Sequence, residues 1–283
     1  MGDRSSRDET FVTGPLLVVD GDSLAHRAYH GLPKTIRRAG GRPGNALVGF
    51  ANFLLRSWDA ERPRAVLVAW DTLEVATYRN EALPAYQSGR EFEDEIVEQL
   101  ALLPPFVESF GFAVAKAAGY EADDFLAAAA VHSDGPVLVA TSDRDAFQLV
   151  TDRVTILQPV SGGGFARIGP DEVRARYGVD PSQVPDFIAL RGDPSDRIPG
   201  APGVGPKTAA TILREYGSLE AALAAGRFPT IADDLRLYRR IAQMDADAPL
   251  PPLTPETPTW ARAAEHAREL GLSALAGRLA ERA

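Results

Sequence analysis

The 283-residue sequence contains no cysteine, which removes disulfides, thiolate metal sites and cysteine nucleophiles together and suits a reducing cytoplasm. Lysine occurs only at 34, 116 and 207, so nearly all the basic residues are arginine. With the alanine excess, that bias reflects a GC-rich coding genome more than a function. No apolar run approaches the roughly 18 residues a membrane-spanning helix needs, so no membrane partner is expected. The start, "MGDRSSRDETF", is polar and mixed in charge and is no signal peptide. It fits the loose Met-Gly-x-x-x-Ser myristoylation pattern, although one acyl chain anchors only marginally. Positive charge is not in excess either. There are 39 acids against 30 Lys and Arg, a net charge of −9, which at first sight weighs against a nucleic-acid partner.

What is present is an alternation. Short β-branched runs followed by turn residues predict strands at 16–20, 65–70, 112–117, 137–141 and 154–159. Helical patterns lie between them, near 45–58, 92–110, 122–132 and 144–149. Strands alternating with helices imply an α/β fold with a mostly parallel sheet flanked by helices. "SGGG" (161–164) reads as a turn before a short strand. After about residue 170 the pattern is helical, over 170–177, 182–191, 206–216, 218–225 and 232–244. A Pro-rich break at 248–258 precedes a last helix. The expected organisation is a lead over 1–13, a catalytic part over 14–185 and a helical part over 186–283.

Acids fall at or just beyond the C-terminal ends of several of these strands. "LLVVDGDS" ends the first strand in Asp20, with Asp22 close behind, and Asp71 follows the second. "GYEADD" places Glu121, Asp123 and Asp124 at a helix start, and "TSDRDAFQLV" places Asp143 and Asp145 after the fourth strand. "LRGDPSDRIPG" adds Asp193 and Asp196. In a parallel sheet all strands end on one edge, so these acids converge there. Each alone reads equally well as a helix cap. Together, nine carboxylates would repel and raise one another's pKa unless cations were present. Two Mg²⁺ or Mn²⁺ ions answer that need, since hard cations take oxygen ligands, and no histidine or cysteine among these acids points to zinc. Metals roughly 3.5–4 Å apart suit hydrolysis of a phosphodiester. Setting nine acids aside leaves 30 against 30 bases, so the net charge no longer argues against DNA.

A second informative segment is "IPGAPGVGPKTAATILREYG" (198–217). Gly203 and Gly205 form a tight hairpin of bare N–H groups, with Pro206 at a helix start and Lys207 and Thr208 in its first turn. Pro206 interrupts any nucleotide-loop Gly-Lys-Thr step, and no strand leads in. A G-x-G hairpin between helices is instead the helix-hairpin-helix arrangement, which grips duplex backbone without reading sequence.

The strings "VVDGDSLAHRAYHGLP", "GYEADD", "TSDRDAFQLV" and "LRGDPSDRIPGAPGVGPKTA" resemble those of the flap endonuclease family, as in the 5′-nuclease domain of bacterial DNA polymerase I. The resemblance runs in order from about 14 to 247. No polymerase domain follows within these residues, so the expectation is a free-standing member. It implies a PIN-like 5′-nuclease fold and a first metal group of Asp20, Asp71, Glu121, Asp123 and Asp124. It further implies a second group of Asp143, Asp145, Asp193 and Asp196. By the same resemblance, 186–216 is a helix–three-turn–helix element holding duplex DNA, with K⁺ at the hairpin. About 74–105 would form a helical arch admitting a single strand. Arg79 and Arg90, with Arg27, would steady charge on the phosphate, and Tyr86 would contact DNA. Where the family pattern has a lysine after that tyrosine, this chain has Gln87. Asp22, where the family more often has serine, is expected to be the cap of the helix beginning there, and Tyr29 and His30 to be packing groups.

The expectation is a monomeric cytoplasmic enzyme, a structure-specific 5′ nuclease leaving 5′-phosphates in DNA replication and repair. A catalytically weak DNA-structure binder of the same fold is the first alternative, given Gln87. An aspartyl-phosphate phosphohydrolase with Asp20 as nucleophile leaves the hairpin unexplained. An RNase of related fold also stays open.

Overall fold

The computed structural model describes residues 14–72, 75–89, 92–160 and 162–283. The expected lead at 1–13 with its acylation-like pattern, the start of the arch at 74 and Arg90 lie outside them.

The described strands are β1 (Leu16–Asp20), β2 (Ala65–Ala69), β3 (Ala113–Ala115), β4 (Val137–Ala140), β5 (Val154–Pro159) and β6 (Phe165–Ile168). They form one sheet in the order β3-β2-β1-β4-β5-β6. The first five run parallel, and β6 returns antiparallel on β5 after the glycine turn. β1 is buried on both faces, which is why it reads as an unbroken apolar run. Leu16 and Val18 enter one core, and Leu17 and Val19 enter the other.

The face of Leu17 and Val19 is covered by α1 (Gly21–Gly31), α2 (Asn45–Glu61) and α4 (Asp94–Ser109). The opposite face is covered by α5 (Ala122–His132), whose Ala127–Ala130 run lets it lie close to the strands. A short helix, α3 (Tyr78–Ala82), lies inside the stretch expected as a helical arch, although the sequence pattern predicts no separate helix there. Beyond β6 follows a run of helices, α6 (Pro170–Tyr177), α7 (Val184–Arg191), α8 (Pro206–Tyr216), α9 (Leu219–Ala224) and α10 (Ala232–Ala242). It shares the core of Leu16 and Val18. The helix expected at 144–149 is a 3₁₀ turn over Asp145–Leu149.

The last helix is two, α11 (Trp260–Glu269) and α12 (Ser273–Ala280). The chain breaks at Gly271, whose φ of +76° favours glycine and where an added Cβ would strike the backbone of Ala39. These helices do not join the helical part, with which the expected division grouped them. Trp260 packs edge-on to Trp58 and Phe110, with ring centroids 6.0 Å away in each case, and His266 lies 5.5 Å from Phe106. The Pro-rich segment thus carries the chain back to the far face of the sheet. Among the described residues no helix is long and apolar enough to cross a membrane.

Candidate active site

The strand order reverses direction at β1, where β2 lies on one side and β4 on the other. Ligands of open parallel sheets bind at such a switch point, beyond the strand C-termini. Asp20 ends β1, and Thr141 follows β4 directly. The Thr141 hydroxyl donates to Asp20 Oδ2 at 2.6 Å, and Ser23 N donates to Asp20 Oδ1 at 3.0 Å. Asp20 is therefore the N-cap of α1 as well as a site acid, and only 4% of it is exposed.

Asp22 differs from expectation. It does not cap the helix. It lies in the first turn of α1, where its Oδ2 accepts from Asp71 N at 2.7 Å. Asp71 Oδ1 in turn accepts from Ala122 N at 2.8 Å, at the start of α5. One pocket of about 340 Å³ is lined by Asp20, Asp22, Asp71, Glu121, Asp123 and Asp143, with His26, Gln87 and Phe92 at its wall. Asp22, His26 and Phe92 were missed as site residues. His26 and Phe92 lie with ring centroids 4.9 Å apart, and only the i+4 spacing from Asp22 hinted that His26 shares its helix face.

The electrostatics follow from burial and crowding. Burial, with Asp71 and Asp143 nearby, pushes Asp20 up to about 7. Asp22 is held well above the usual carboxylate range by burial, then by Asp71 and Asp20. Asp123 is raised likewise by burial, Asp143 and Asp20. Asp145 is raised by burial and by Asp143, Asp196 and Asp193, which brings the second group of acids into one field. In that group the Asp193 carboxylate is held by the loop itself. Its Oδ1 accepts from Ser195 N at 2.9 Å and from the Ser195 hydroxyl, and its Oδ2 accepts from Arg191 at 2.9 Å.

Asp124 and Arg79 stand apart from the roles expected of them. Asp124 is fully buried, and Arg79 donates to both of its oxygens, at 2.9 and 2.7 Å. Arg79 is 2% exposed, lies 3.3 Å from Glu121 Oε2 and also donates to the carbonyl of Ile241 at 3.0 Å. A guanidinium so committed ties α3 to α5 and α10 rather than facing a substrate. Tyr86 is buried too, with its hydroxyl donating to Glu121 Oε2 at 3.0 Å, so it offers no ring for base stacking. In the expected arch, α4 packs into the core with Ile96, Leu100 and Leu103.

Arg27 turns to the other side of α1. It lines a separate groove of about 1160 Å³ with His30, Arg56, Arg278 and Arg282. At the hairpin, Gly205 is the N-cap of α8, and Gly203, Gly205, Lys207 and Thr208 are exposed. Gly203 has φ of +74°, and a Cβ on either glycine would meet nothing within 4 Å, so another backbone has room to approach. The hairpin is anchored by the Asp193–Ile198 bridge, which couples it to the second group of acids.

The donor set suits hard divalent cations. It is built of carboxylate oxygens whose pKa values are raised first by burial and then by one another's negative charge. Among the described residues no three acids close to the spacing of a single ion's ligands. Mg²⁺ does not require that, because it keeps several waters and takes only one or two carboxylates.

Comparison with known proteins agrees with this geometry. Residues 15–178 match the model of the 5′-3′ exonuclease N-terminal resolvase-like domain, and residues 179–263 match that of the 5′-3′ exonuclease C-terminal SAM fold. DNA polymerase I of Mycobacterium bovis is 42% identical over 210 residues, covering 72% of this chain and 23% of that protein. The thermostable DNA polymerase I of Thermus thermophilus is 38% identical over 251 residues, covering 84% and 29% respectively. The chain thus spans about a quarter of the length of these relatives. In fold it is similar to the T5 D15 protein crystallised with metal ions, at a TM-score of 0.67 and 20% identity over 94% of this chain and 98% of that one. It is also similar to the catalytic core of Rad2 in complex with DNA substrate, at 0.61 and 16% over 96% and 92%. With both halves matched in order and acids gathered at the switch point of the sheet in the first of them, the chain belongs to the 5′-3′ exonuclease family.

Proposed function

We propose that this chain hydrolyses DNA phosphodiesters at 5′ ends and 5′ flaps, as a 5′-3′ exonuclease and flap endonuclease of replication and repair. The observation that carries the reading is the convergence of carboxylates from the ends of β1, β2 and β4 and the start of α5 in one pocket, at the switch point of a parallel sheet. When bound, two Mg²⁺ or Mn²⁺ ions supply Lewis acidity to the phosphate and its attacking water.

Asp20, Asp71, Glu121 and Asp123 would hold one ion, one or two of them directly and the others through its bound waters. Asp143, Asp145, Asp193 and Asp196 would hold the other in the same way. Asp124 leaves this ligand set, because both its oxygens are engaged by Arg79. Thr141 and Ser23 fix the direction of the Asp20 oxygens, and the start of α5 fixes Asp71. Arg27 and Arg90 remain the proposed cations for substrate phosphates. The groove of Arg27, Arg56 and Arg278 supports a nucleic-acid path alongside α1. The exposed hairpin of Gly203, Gly205, Lys207 and Thr208 would grip duplex backbone, with K⁺ bound at the hairpin. The products would carry 5′-phosphates, and the working form would be a cytoplasmic monomer. The catalytic part would run to about residue 185, with the helical part supplying Asp193, Asp196 and the hairpin.

The test is cleavage of a labelled 5′-flap duplex in Mg²⁺, in Mn²⁺ and in EDTA. Asp143→Asn and Asp193→Asn are each expected to cut more than about 100-fold more slowly, since even residues that only support metal ligands cost 10–100-fold. Flap binding should stay largely intact. Wild-type rates in both variants would refute the site assignment. A second reading, a DNA-structure binder with weak catalysis, is favoured only by the neutral Gln87 beside a sequestered Arg79. It predicts shifted DNA without product in the same assay.

A further inference from the structure

Gln87 sits between the two groups of acids. Its Nε2 donates to the Tyr86 hydroxyl at 2.8 Å and to Asp196 Oδ1 at 3.1 Å. The Tyr86 hydroxyl in turn donates to Glu121 Oε2 at 3.0 Å. The chain of donors is therefore continuous from Asp196 of one group to Glu121 of the other, with a carboxylate accepting at each end. The reverse amide orientation would set Oε1 against the Asp196 carboxylate, so the chemistry of the partners fixes the assignment. The backbone makes the same connection. Gln87 N donates to the Asp196 carbonyl at 3.3 Å, and beside it the Arg197 side chain donates to Ser88 Oγ at 2.9 Å. Gln87 holds this place at φ of +48°, a left-handed conformation uncommon for a residue with a side chain. A strained residue at a junction of acids points to a constraint on its side chain.

We propose that Gln87 is a positioning residue that bridges the two metal groups, setting the separation of Glu121 and Asp196 through its own amide and the Tyr86 hydroxyl. The proposal rests on the reading of these acids as ligands of two divalent cations. A neutral amide performs this task without cancelling the negative charge that draws the cations. Glu121 and Asp196 are then held in place before metal arrives, so less ordering entropy is lost on binding. Gln87 acts through the acids and needs no contact with the scissile phosphate.

Two variants isolate the bridge while respecting the fold. Gln87→Asn keeps the amide and tolerates positive φ, but is shorter by one methylene and cannot span both partners. Tyr86→Phe removes only the hydroxyl from a buried ring. Mn²⁺ is titrated calorimetrically into the full chain without DNA, and flap cleavage is then followed against Mn²⁺ concentration. Each variant loses a hydrogen bond to a charged group, so each should bind Mn²⁺ at least about 10-fold more weakly. Its activation curve should move by a similar factor, while kcat at saturating Mn²⁺ stays near wild type. The double variant should be no worse than the poorer single one. Unchanged Mn²⁺ affinity in both variants overturns the proposal. So does a fall in kcat at saturating Mn²⁺ with affinity intact, which would make Gln87 a substrate contact. If wild type neither binds Mn²⁺ nor cleaves, the functional reading itself fails.

Discussion

Asp20 and Asp22 are one residue apart, yet the backbone gives them different partners. Asp20, at the end of a central strand, faces Thr141 across the switch point and caps α1 through Ser23 N. Asp22, already inside the helix, reaches Asp71 N. Both are pushed up by burial and by neighbouring acids, so each carries an electrostatic cost when no cation is bound. Asp22→Asn keeps an acceptor for Asp71 N and removes one charge. In EDTA at pH 8 that variant should melt several degrees higher than wild type, since about 1 kcal/mol shifts Tm by a few degrees in a chain of this size. Saturating Mg²⁺ should narrow the gap. A lower melting temperature in EDTA would mean that the hydrogen bond, and not the repulsion, dominates at this position.

The element that depends most on one side chain is α3. Five residues long, it has too few internal hydrogen bonds to stand alone. Arg79 fastens it with two bonds to Asp124, one to Ile241 O and a contact with Glu121. Removing one partner of such a buried pair strands the other charge and costs about 3–5 kcal/mol. Arg79→Ala should lose about that much in denaturant melts, while Arg27→Ala, on the exposed side of α1, should lose little. Equal stabilities would contradict the buried-pair account. None of this was legible in the sequence, where the resemblance implied that Arg79 steadies charge on the phosphate. Strand ends are legible because β-branched runs stop at turn residues and a parallel sheet sends its C-termini to one edge. Side-chain direction is not, since it depends on α10 and α5 arriving from far along the chain. The break at Gly271 and the docking of α11 and α12 were hidden for the same reason. The Pro-rich segment marks a crossing without saying which face it crosses to.

At the scale of the whole molecule, the net charge of −9 and the crowded sheet edge are two aspects of one design. The sign of the pH dependence follows. Asp20 has its ordinary value of 3.8 when unfolded and about 7 when folded, so folding takes up a proton between those limits. Stability from this group is therefore lost as pH rises through about 7. Asp59, Glu93 and Glu98 are shifted the other way, Asp59 and Glu93 by hydrogen bonds from Arg282 and Lys34 and Glu98 by Arg38 and Arg42 against its burial. They are already ionised above pH 6. In EDTA the protein should melt higher at pH 6 than at pH 8, and Mg²⁺ should raise the pH 8 value most. A metal-free melting temperature that climbs from pH 6 to pH 8 would contradict this. The alternating architecture, the convergence of acids and the hairpin were all legible from residue pattern alone, because each rests on local spacing plus the parallel-sheet rule.

The most direct measurement is a product map of a 5′-labelled flap duplex incubated with the full chain in Mg²⁺ and in EDTA. The account predicts a released 5′ flap cut near the single-strand junction, a 5′-phosphate on the remaining duplex strand, and no product in EDTA. An intact flap in Mg²⁺ and Mn²⁺ with the DNA bound, or the same products in EDTA, would contradict it.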